Sequence, residues 1–331
     1  MDHTTTSTVK TDAAALRWVR WASYASVGVA VVLILAKLTA FLATDSVSVL
    51  STLIDSLLDA FASVIILLAV RTASMPPDAE HRFGHGKAEP LGALAQALFV
   101  SGSAVLLFIE AGHRLLTSPQ TVTQVPLGIA VMVLSLVLTG CLILFQRFVI
   151  RRSGSIAIGA DALHYRTDFL VNGAVILALW FGQQHSLAFV DPLIAFGIGS
   201  YILYSAWHIG RGALDMLMDR EIPDPDKAKI IDLAFSYPEV AALHDLRTRR
   251  AGPNAFVQMH IELDGTMPLS EAHRIADGIE KKIRTAFPGI DVLVHQDTLF
   301  PLGRSRRVDR INRPETSETS QAVGASHASS W

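Results

Sequence analysis

Six apolar stretches, each roughly 18 to 28 residues long and so able as a helix to cross about 30 Å of hydrocarbon, limit this chain more than any other feature. They fall near residues 19–42, 46–71, 89–115, 125–149, 154–182 and 189–214. In lipid such a run has no water for its backbone N–H and C=O groups and must satisfy them internally, so helices are expected over strands. Composition agrees: half of the 331 residues are hydrophobic and 18% are charged, below the soluble average. The first stretch is longer than a secretory signal core and continues into a second span, so it is read as retained.

Loop charge sets the expected orientation. Lys10, Arg17 and Arg20 precede the first span, Arg71, Arg82 and Lys87 separate the second from the third, and Arg147, Arg151 and Arg152 separate the fourth from the fifth. The alternate loops, 43–45, 117–124 and 183–188, carry no Lys or Arg. Excess positive charge stays on the cytoplasmic side, which puts both termini there. Arg114 and Lys37 are exceptions expected to snorkel toward the outer interface. The formal charge of −2 offers no concentrated basic surface for nucleic acid. Cys141 is the single cysteine, so any metal site within the chain rests on His and carboxylates rather than a thiolate cluster.

After Asp215 charged residues become frequent, and Ile222-Pro-Asp-Pro-Asp226 reads as a linker into a soluble domain. Helices are expected at 227–236 and 270–286, and strands at 242–249, 255–263 and 292–296. Gly252-Pro253-Asn254 closes a hairpin and Ser270 caps the second helix. The expected fold is an α-helical membrane protein: a six-transmembrane-helix bundle over 17–215 and a C-terminal cytoplasmic α+β domain over 216–301. Its order αββαβ is that of a ferredoxin-like or metallochaperone-like domain. The polar ends, 1–16 and 302–331, are expected to be disordered tails.

Within the spans, Asp55 and Asp59 stand one turn apart on one helical face, and His164 and Asp168 repeat that spacing on another span. Ionised carboxylates at membrane depth cost several kcal/mol each unless compensated. A divalent cation between the two faces compensates them; interhelical hydrogen bonds that fasten the bundle are the plainer explanation. Three Asp oxygens and one imidazole nitrogen suit zinc, and the nitrogen makes magnesium or calcium less natural.

The six spans, the Asp-x3-Asp and His-x3-Asp pairs, the segments His81-Arg-Phe-Gly-His-Gly-Lys-Ala-Glu-Pro90 and His244-Asp-Leu-Arg-Thr-Arg249, and the small C-terminal domain together resemble the cation diffusion facilitator family. The resemblance covers roughly residues 20 to 300 and is nearest to its bacterial zinc and ferrous-iron efflux branch. It implies a metal/proton antiporter of the inner membrane, a secondary transporter rather than an enzyme, working as a homodimer by alternating access. Asp55, Asp59, His164 and Asp168 then form the transport site. The cargo is Zn2+, Fe2+, Cd2+ or Mn2+, and metal also serves as a structural or regulatory ligand.

The resemblance further implies a loop metal site of Asp78, His81 and His85, with Glu80 left open as the carboxylate. It implies a binuclear site in a dimerising cytoplasmic domain from His244, His260, His273, His295, Gln296 and Asp297. A Lys87–Asp219 salt bridge would hold the protomers together near the membrane surface, and Leu163 would form a hydrophobic gate. Strand alternation independently separates His260 from Val257, Met259, Ile261 and Leu263 and puts His295 and Asp297 on one face. Each of these groups also has an ordinary reading, as a solvated loop, surface histidines, a weak surface ion pair or a packing leucine.

Two other function classes fit parts of the pattern. An intramembrane metallohydrolase needs an open metal position, and no His-Glu-x-x-His motif occurs. A membrane-anchored metal sensor accounts for the C-terminal histidines but leaves buried mid-span carboxylates without purpose.

Overall fold

The computed structural model describes residues 13–45, 47–116, 126–181, 190–299 and 310–313. Residues 117–124 and 183–188, expected as outer loops, and most of both expected tails therefore lie outside the described residues. The chain divides into two units: one holds the six long helices up to Arg220 together with the turn Arg250–Asn254, the other holds Glu221–Arg249 and the chain from Ala255 onward.

The first unit contains α1 (Ala13–Thr44), α2 (Val47–Ala73), α3 (Ala88–Leu116), α4 (Pro126–Ser153), α5 (Ile156–Phe181) and α6 (Val190–Leu217). Among the described residues, five of these helices, all but α5, are long and apolar enough to cross a membrane. Helix α5 has the length, at 26 residues, but carries Asp161, His164, Arg166 and Asp168 in its first half. It packs against α1, α2, α3, α4 and α6, which buries Asp161 and His164 and partly covers Arg166 and Asp168. Helix α1 starts at Ala13, inside the expected tail 1–16; Ala13-Ala14-Ala15-Leu16 are strong helix formers, and Ala15 is buried.

Outward faces are apolar: Leu42, Phe61, Leu98, Leu106, Ile109, Leu144 and Trp207 are all exposed. So much exposed large apolar surface marks a chain whose solvent there is lipid. Small residues line the seams, where Ala22, Ala62, Ala93, Ala104, Ala160 and Ala206 are buried, as expected where helices associate by close packing rather than by the hydrophobic effect. At Gly92 a Cβ would overlap the Ala69 side chain, so glycine sets the approach of α3 to α2.

Polar contacts fix α5 in this frame. Ser26 donates to the fully buried Asp161 carboxylate, and Gln146 Nε2 donates to the same oxygen at 2.8 Å. Tyr165 Oη lies 2.8 Å from Ser63 Oγ and 3.0 Å from the Ser26 carbonyl oxygen. These bonds tie α5 to α1, α2 and α4. At its start, buried Glu89 of α3 accepts from Ser155 Oγ at 2.5 Å and from the Ala157 N–H at 3.4 Å, while Ser155 Oγ accepts from the Ile158 N–H at 3.3 Å. The orphan N–H groups of a helix start are thus met by a hydroxyl that a neighbouring helix holds in place.

The second unit runs α7 (Asp224–Phe235), β1 (Ala242–Ala251), β2 (Asn254–Leu263), α8 (Leu269–Ala286), β3 (Ile290–Thr298) and β4 (Ile311–Asn312). The sheet order is β3-β2-β1-β4. The expected order αββαβ is present, with β4 added: part of the stretch expected as tail is a strand, antiparallel to β1. Strands β2 and β3 are parallel, with His260 opposite His295 and Glu262 opposite Asp297. Gly252 turns between β1 and β2 at φ 58°, a conformation glycine adopts without a Cβ penalty. Helix α8 starts after Pro268, with no side-chain cap. Ser270 is therefore not the cap expected of it: the Pro268 carbonyl accepts from Glu271 and Ala272, which places Ser270 inside the first turn.

Ile275, Ile279 and Ile283 recur at helical spacing and bury one face of α8 in a core with Val257, Met259, Ile261, Val292 and Val294. Replacing Ile279, which is fully buried, by Ala is expected to cost about 2–5 kcal/mol through lost transfer energy and the cavity left behind. A lowered thermal unfolding midpoint of the cytoplasmic unit checks this; an unchanged midpoint contradicts the packing.

Candidate metal centres

Among the described residues three clusters of ligand-type side chains come together, built from four sets of three whose ligand atoms lie within 4.8 Å of one another; two of the sets, His244–Asp245–His260 and His260–His295–Asp297, share His260. The first joins Asp59 of α2 to His164 and Asp168 of α5, all within the bundle. His164 Nε2 lies 3.2 Å from Asp59 Oδ1 and 3.6 Å from Asp168 Oδ2. The imidazole is buried, and its edge packs against Phe99 at a centroid distance of 5.7 Å, which restricts its rotation. The carboxylates are half-buried. Helical spacing makes His164 and Asp168 neighbours; the contact of α2 with α5 brings Asp59 to the same nitrogen.

Asp55 stands one turn nearer the start of α2, is exposed, and is not in this group. Leu163 turns away into a seam with Val100, Ala104, Ile202 and Ala206. Lys37 of α1 does not reach outward as expected. Its Nζ donates to the Thr52 carbonyl at 3.0 Å and to Ser56 Oγ at 2.6 Å, bringing a cation to the helix that carries Asp55 and Asp59.

The second group lies between α2 and α3. Asp78 Oδ1 accepts from the backbone N–H groups of Glu80 at 2.9 Å and His81 at 2.6 Å. His81 Nδ1 lies 3.4 Å from that oxygen, and His85 Nε2 lies 3.3 Å from Oδ2. Of the two carboxylates left open by the sequence, Asp78 is the one beside the histidines. The His81 N–H bond, more than any other influence, holds the Asp78 carboxyl below its ordinary value; desolvation, next in size, opposes it, and the Glu80 N–H and the neighbouring histidines add to the lowering.

The third group lies in the cytoplasmic unit. Asp297 Oδ2 is 3.0 Å from His244 Nε2 and 3.1 Å from His260 Nδ1, and Asp297 Oδ1 is 3.5 Å from His295 Nε2. The parallel register sets His260 beside His295, with ring centroids 4.6 Å apart, and β1 supplies fully buried His244. Three imidazoles around a carboxylate form a donor set that fits zinc. His273 is exposed on α8 and stands outside the group. Gln296 Nε2 lies 3.4 Å from the Val294 carbonyl oxygen. Lys87 Nζ is 3.0 Å from Asp219 Oδ1 and 3.3 Å from the Leu217 carbonyl oxygen, a pair formed within one chain between the start of α3 and the end of α6.

Sequence reasoning missed Asp161, Glu89, Glu262 and the inward course of Lys37. Asp161 carried a signal in hindsight: a carboxylate one turn before His164 on the same face. Glu262 did not, because in an extended strand it sits on the face opposite Ile261, beside His260 and indistinguishable there from a solvated side chain.

A family model of the cation efflux transmembrane domain matches residues 23–218, and one of the cation efflux protein cytoplasmic domain matches residues 222–299. The cation-efflux pump FieF of Serratia proteamaculans is 46% identical over 296 residues, 88% of this chain and 97% of that protein. The FieF pump of Yersinia pestis is 46% identical over 293 residues, 88% of this chain and 96% of that protein. A solved metal-bound C-terminal domain of the CzcD transporter from Thermotoga maritima is 30% identical, covering 24% of this chain and 93% of that one, with a TM-score of 0.23.

Because the Asp78 carboxyl titrates below its ordinary value in the folded chain, the turn it closes adds stability at pH above the ordinary carboxylate range. That contribution is lost as pH falls through the lowered value. Asp78→Ala is expected to flatten the acid side of the stability–pH profile; an acid limb of the same slope in the variant contradicts this.

Proposed function

This chain belongs to the cation efflux family, and from that premise we propose that it exports divalent transition-metal ions across the bacterial inner membrane in exchange for protons. It works as a homodimer with both termini in the cytoplasm, alternating between inward-open and outward-open forms. The observation that carries this reading is one imidazole nitrogen flanked by two carboxylates from two helices, near the midpoints of α2 and α5. Two anions at that depth are costly without a compensating cation, and a mixed nitrogen and oxygen donor set favours zinc or ferrous iron over magnesium or calcium. Cadmium and manganese are further cargo.

Asp59, His164 and Asp168 bind the cargo, and Asp55 supplies a fourth ligand, the third carboxylate oxygen, from the preceding turn of α2. Imidazole has an unperturbed pKa of about 6.5 and ligates only when neutral, so a proton arriving at His164 displaces metal and metal arriving displaces the proton. Competition at one nitrogen is the simplest physical basis for antiport. Leu163, next to His164 in sequence and buried in the seam of α3, α5 and α6, acts as the hydrophobic gate that keeps the two vestibules from being wet together. The loop group of Asp78, His81 and His85 holds a structural or regulatory metal. His244, His260, His295 and Asp297, joined by His273 and Gln296, hold metal in the dimerising domain. The Lys87–Asp219 pair steadies the two protomers at the membrane surface.

Metal flux into proteoliposomes under an imposed pH gradient tests the proposal with Zn2+, Fe2+, Cd2+ and Mn2+ in turn. Wild type is expected to accumulate zinc or iron in proportion to the gradient, and Asp59→Ala to fall to the level of protein-free vesicles. Flux indifferent to the gradient eliminates antiport. His164→Ala is expected to weaken zinc binding by about 10-fold or more, the order lost with even an outer-shell group, and to flatten the pH dependence; an unchanged pH profile contradicts proton coupling at this residue.

A further inference from the structure

The cytoplasmic metal group has a second carboxylate behind it. His244 is fully buried between two acids: Asp297 lies 3.0 Å from Nε2, and Glu262 Oε1 lies 3.4 Å from Nδ1. Glu262 is itself buried on β2, where an ionised carboxylate is tolerated only if paired and hydrogen-bonded. Its partner comes from far along the chain. Arg310 Nε donates to Oε1 at 3.0 Å and Arg310 Nη2 to Oε2 at 2.8 Å, a two-pronged fit that only a guanidinium makes.

Arg310 lies past residue 299, where the cytoplasmic-domain family model stops, and it is held by more than this bond. Strand β4 follows it directly, pairing Ile311 with Leu243, the residue before His244. Arg313 then donates to the Pro238 carbonyl at 2.6 Å and the Phe235 carbonyl at 2.7 Å, where the last carbonyls of α7 lack helical partners. Its backbone N–H donates to the Ala241 carbonyl at 3.2 Å. Two arginines and a short strand thus fasten residues 310–313 across β1.

We propose that Glu262 and Arg310 are positioning residues for the cytoplasmic metal site: Arg310 orients Glu262, and Glu262 holds His244 as the Nδ1–H tautomer, leaving Nε2 for metal. This rests on the reading that the His244, His260, His295 and Asp297 group binds metal. A ligating histidine whose other nitrogen donates to a carboxylate is fixed in tautomer and orientation and is a more basic ligand. The structure supplies the geometry for that device: Glu262 Oε1 faces His244 Nδ1 at 3.4 Å, and the two-pronged Arg310 contact fixes the orientation of the carboxylate. The C-terminal strap is therefore a tuning element for the domain's metal affinity.

Zinc affinity of the full-length protein in detergent, measured by competition with a chromogenic chelator, tests this in a background carrying Asp59→Ala and His85→Ala to silence the other two groups. In that background Asp297→Ala reports on the parent reading: if it leaves zinc binding untouched, the group is not a metal site. Where Asp297→Ala does remove binding, Glu262→Gln is expected to weaken zinc by about 10- to 100-fold, the usual loss for an outer-shell partner. Arg310→Ala should do the same, and Arg310→Lys should recover part of the loss. Glu262→Gln is isosteric, so it remains a test if Arg310→Ala fails to fold. A strap that is merely structural would lower the melting midpoint of Arg310→Ala and leave zinc affinity in Glu262→Gln equal to the parent; that result overturns the inference.

Discussion

An imidazole held between two carboxylates inside a helix bundle is the constraint on which the rest of this molecule turns. Ionised groups at membrane depth cost several kcal/mol each, more than a single interhelical hydrogen bond returns. The fold therefore has to keep Asp59, His164 and Asp168 facing one another and facing protein. It does so by placing α5 where five other helices contact it, and by leaving the large apolar side chains on the outside of the neighbours. The helix least suited to lipid by composition is the one most enclosed.

Enclosure alone does not fix the rotation of a helix, and rotation by one residue, about 100°, would take His164 away from Asp59. The contacts around Asp161 set it. A fully buried carboxylate that accepts from Ser26 of α1 and Gln146 of α4, followed by Tyr165 bonded to Ser63 and the Ser26 carbonyl, defines one azimuth for α5 relative to α1, α2 and α4. Glu89 sets its axial position through Ser155. Leaving any of these buried polar atoms unpaired costs about 1–3 kcal/mol, so slippage of α5 is resisted by several such penalties at once. Lys37 adds a compensating charge from α1 without entering the group itself.

How much of this was legible in the sequence follows from which contacts are local. The helices, their polar pairs and the αββαβ order rest on periodicity and composition, properties of neighbouring residues. His164 with Asp168 is a local pair and was readable; its meeting with Asp59 depends on α2 packing against α5, and family resemblance rather than spacing supplied that step. Asp55, equal to Asp59 by spacing, differs from it in the fold because α2 meets α5 at Asp59 and Ser63, whereas Asp55, one turn nearer the start of α2, is exposed. Strand β4 was hidden for a related reason. Two residues, Ile311 and Asn312, carry no readable alternation, and their stability comes from Arg310 and Arg313 reaching partners 48 and 78 positions earlier. Polar composition argued for disorder there, but the same arginines find buried acceptors on the domain.

The cytoplasmic group and the intramembrane one solve the same electrostatic problem by different geometry. In the bundle, helical spacing makes a pair and helix packing adds the third ligand. In the sheet, parallel register makes the pair, His260 beside His295 and Glu262 beside Asp297, and the adjacent strand β1 adds His244. A register slip of one residue on β3 would send Asp297 to the opposite face, so the hydrophobic alternation of Val292 and Val294 against α8 also selects the face that carries His295 and Asp297. Core packing and the placement of the histidine–carboxylate cluster are in this way one choice, which ties the geometry of that cluster to the stability of the sheet.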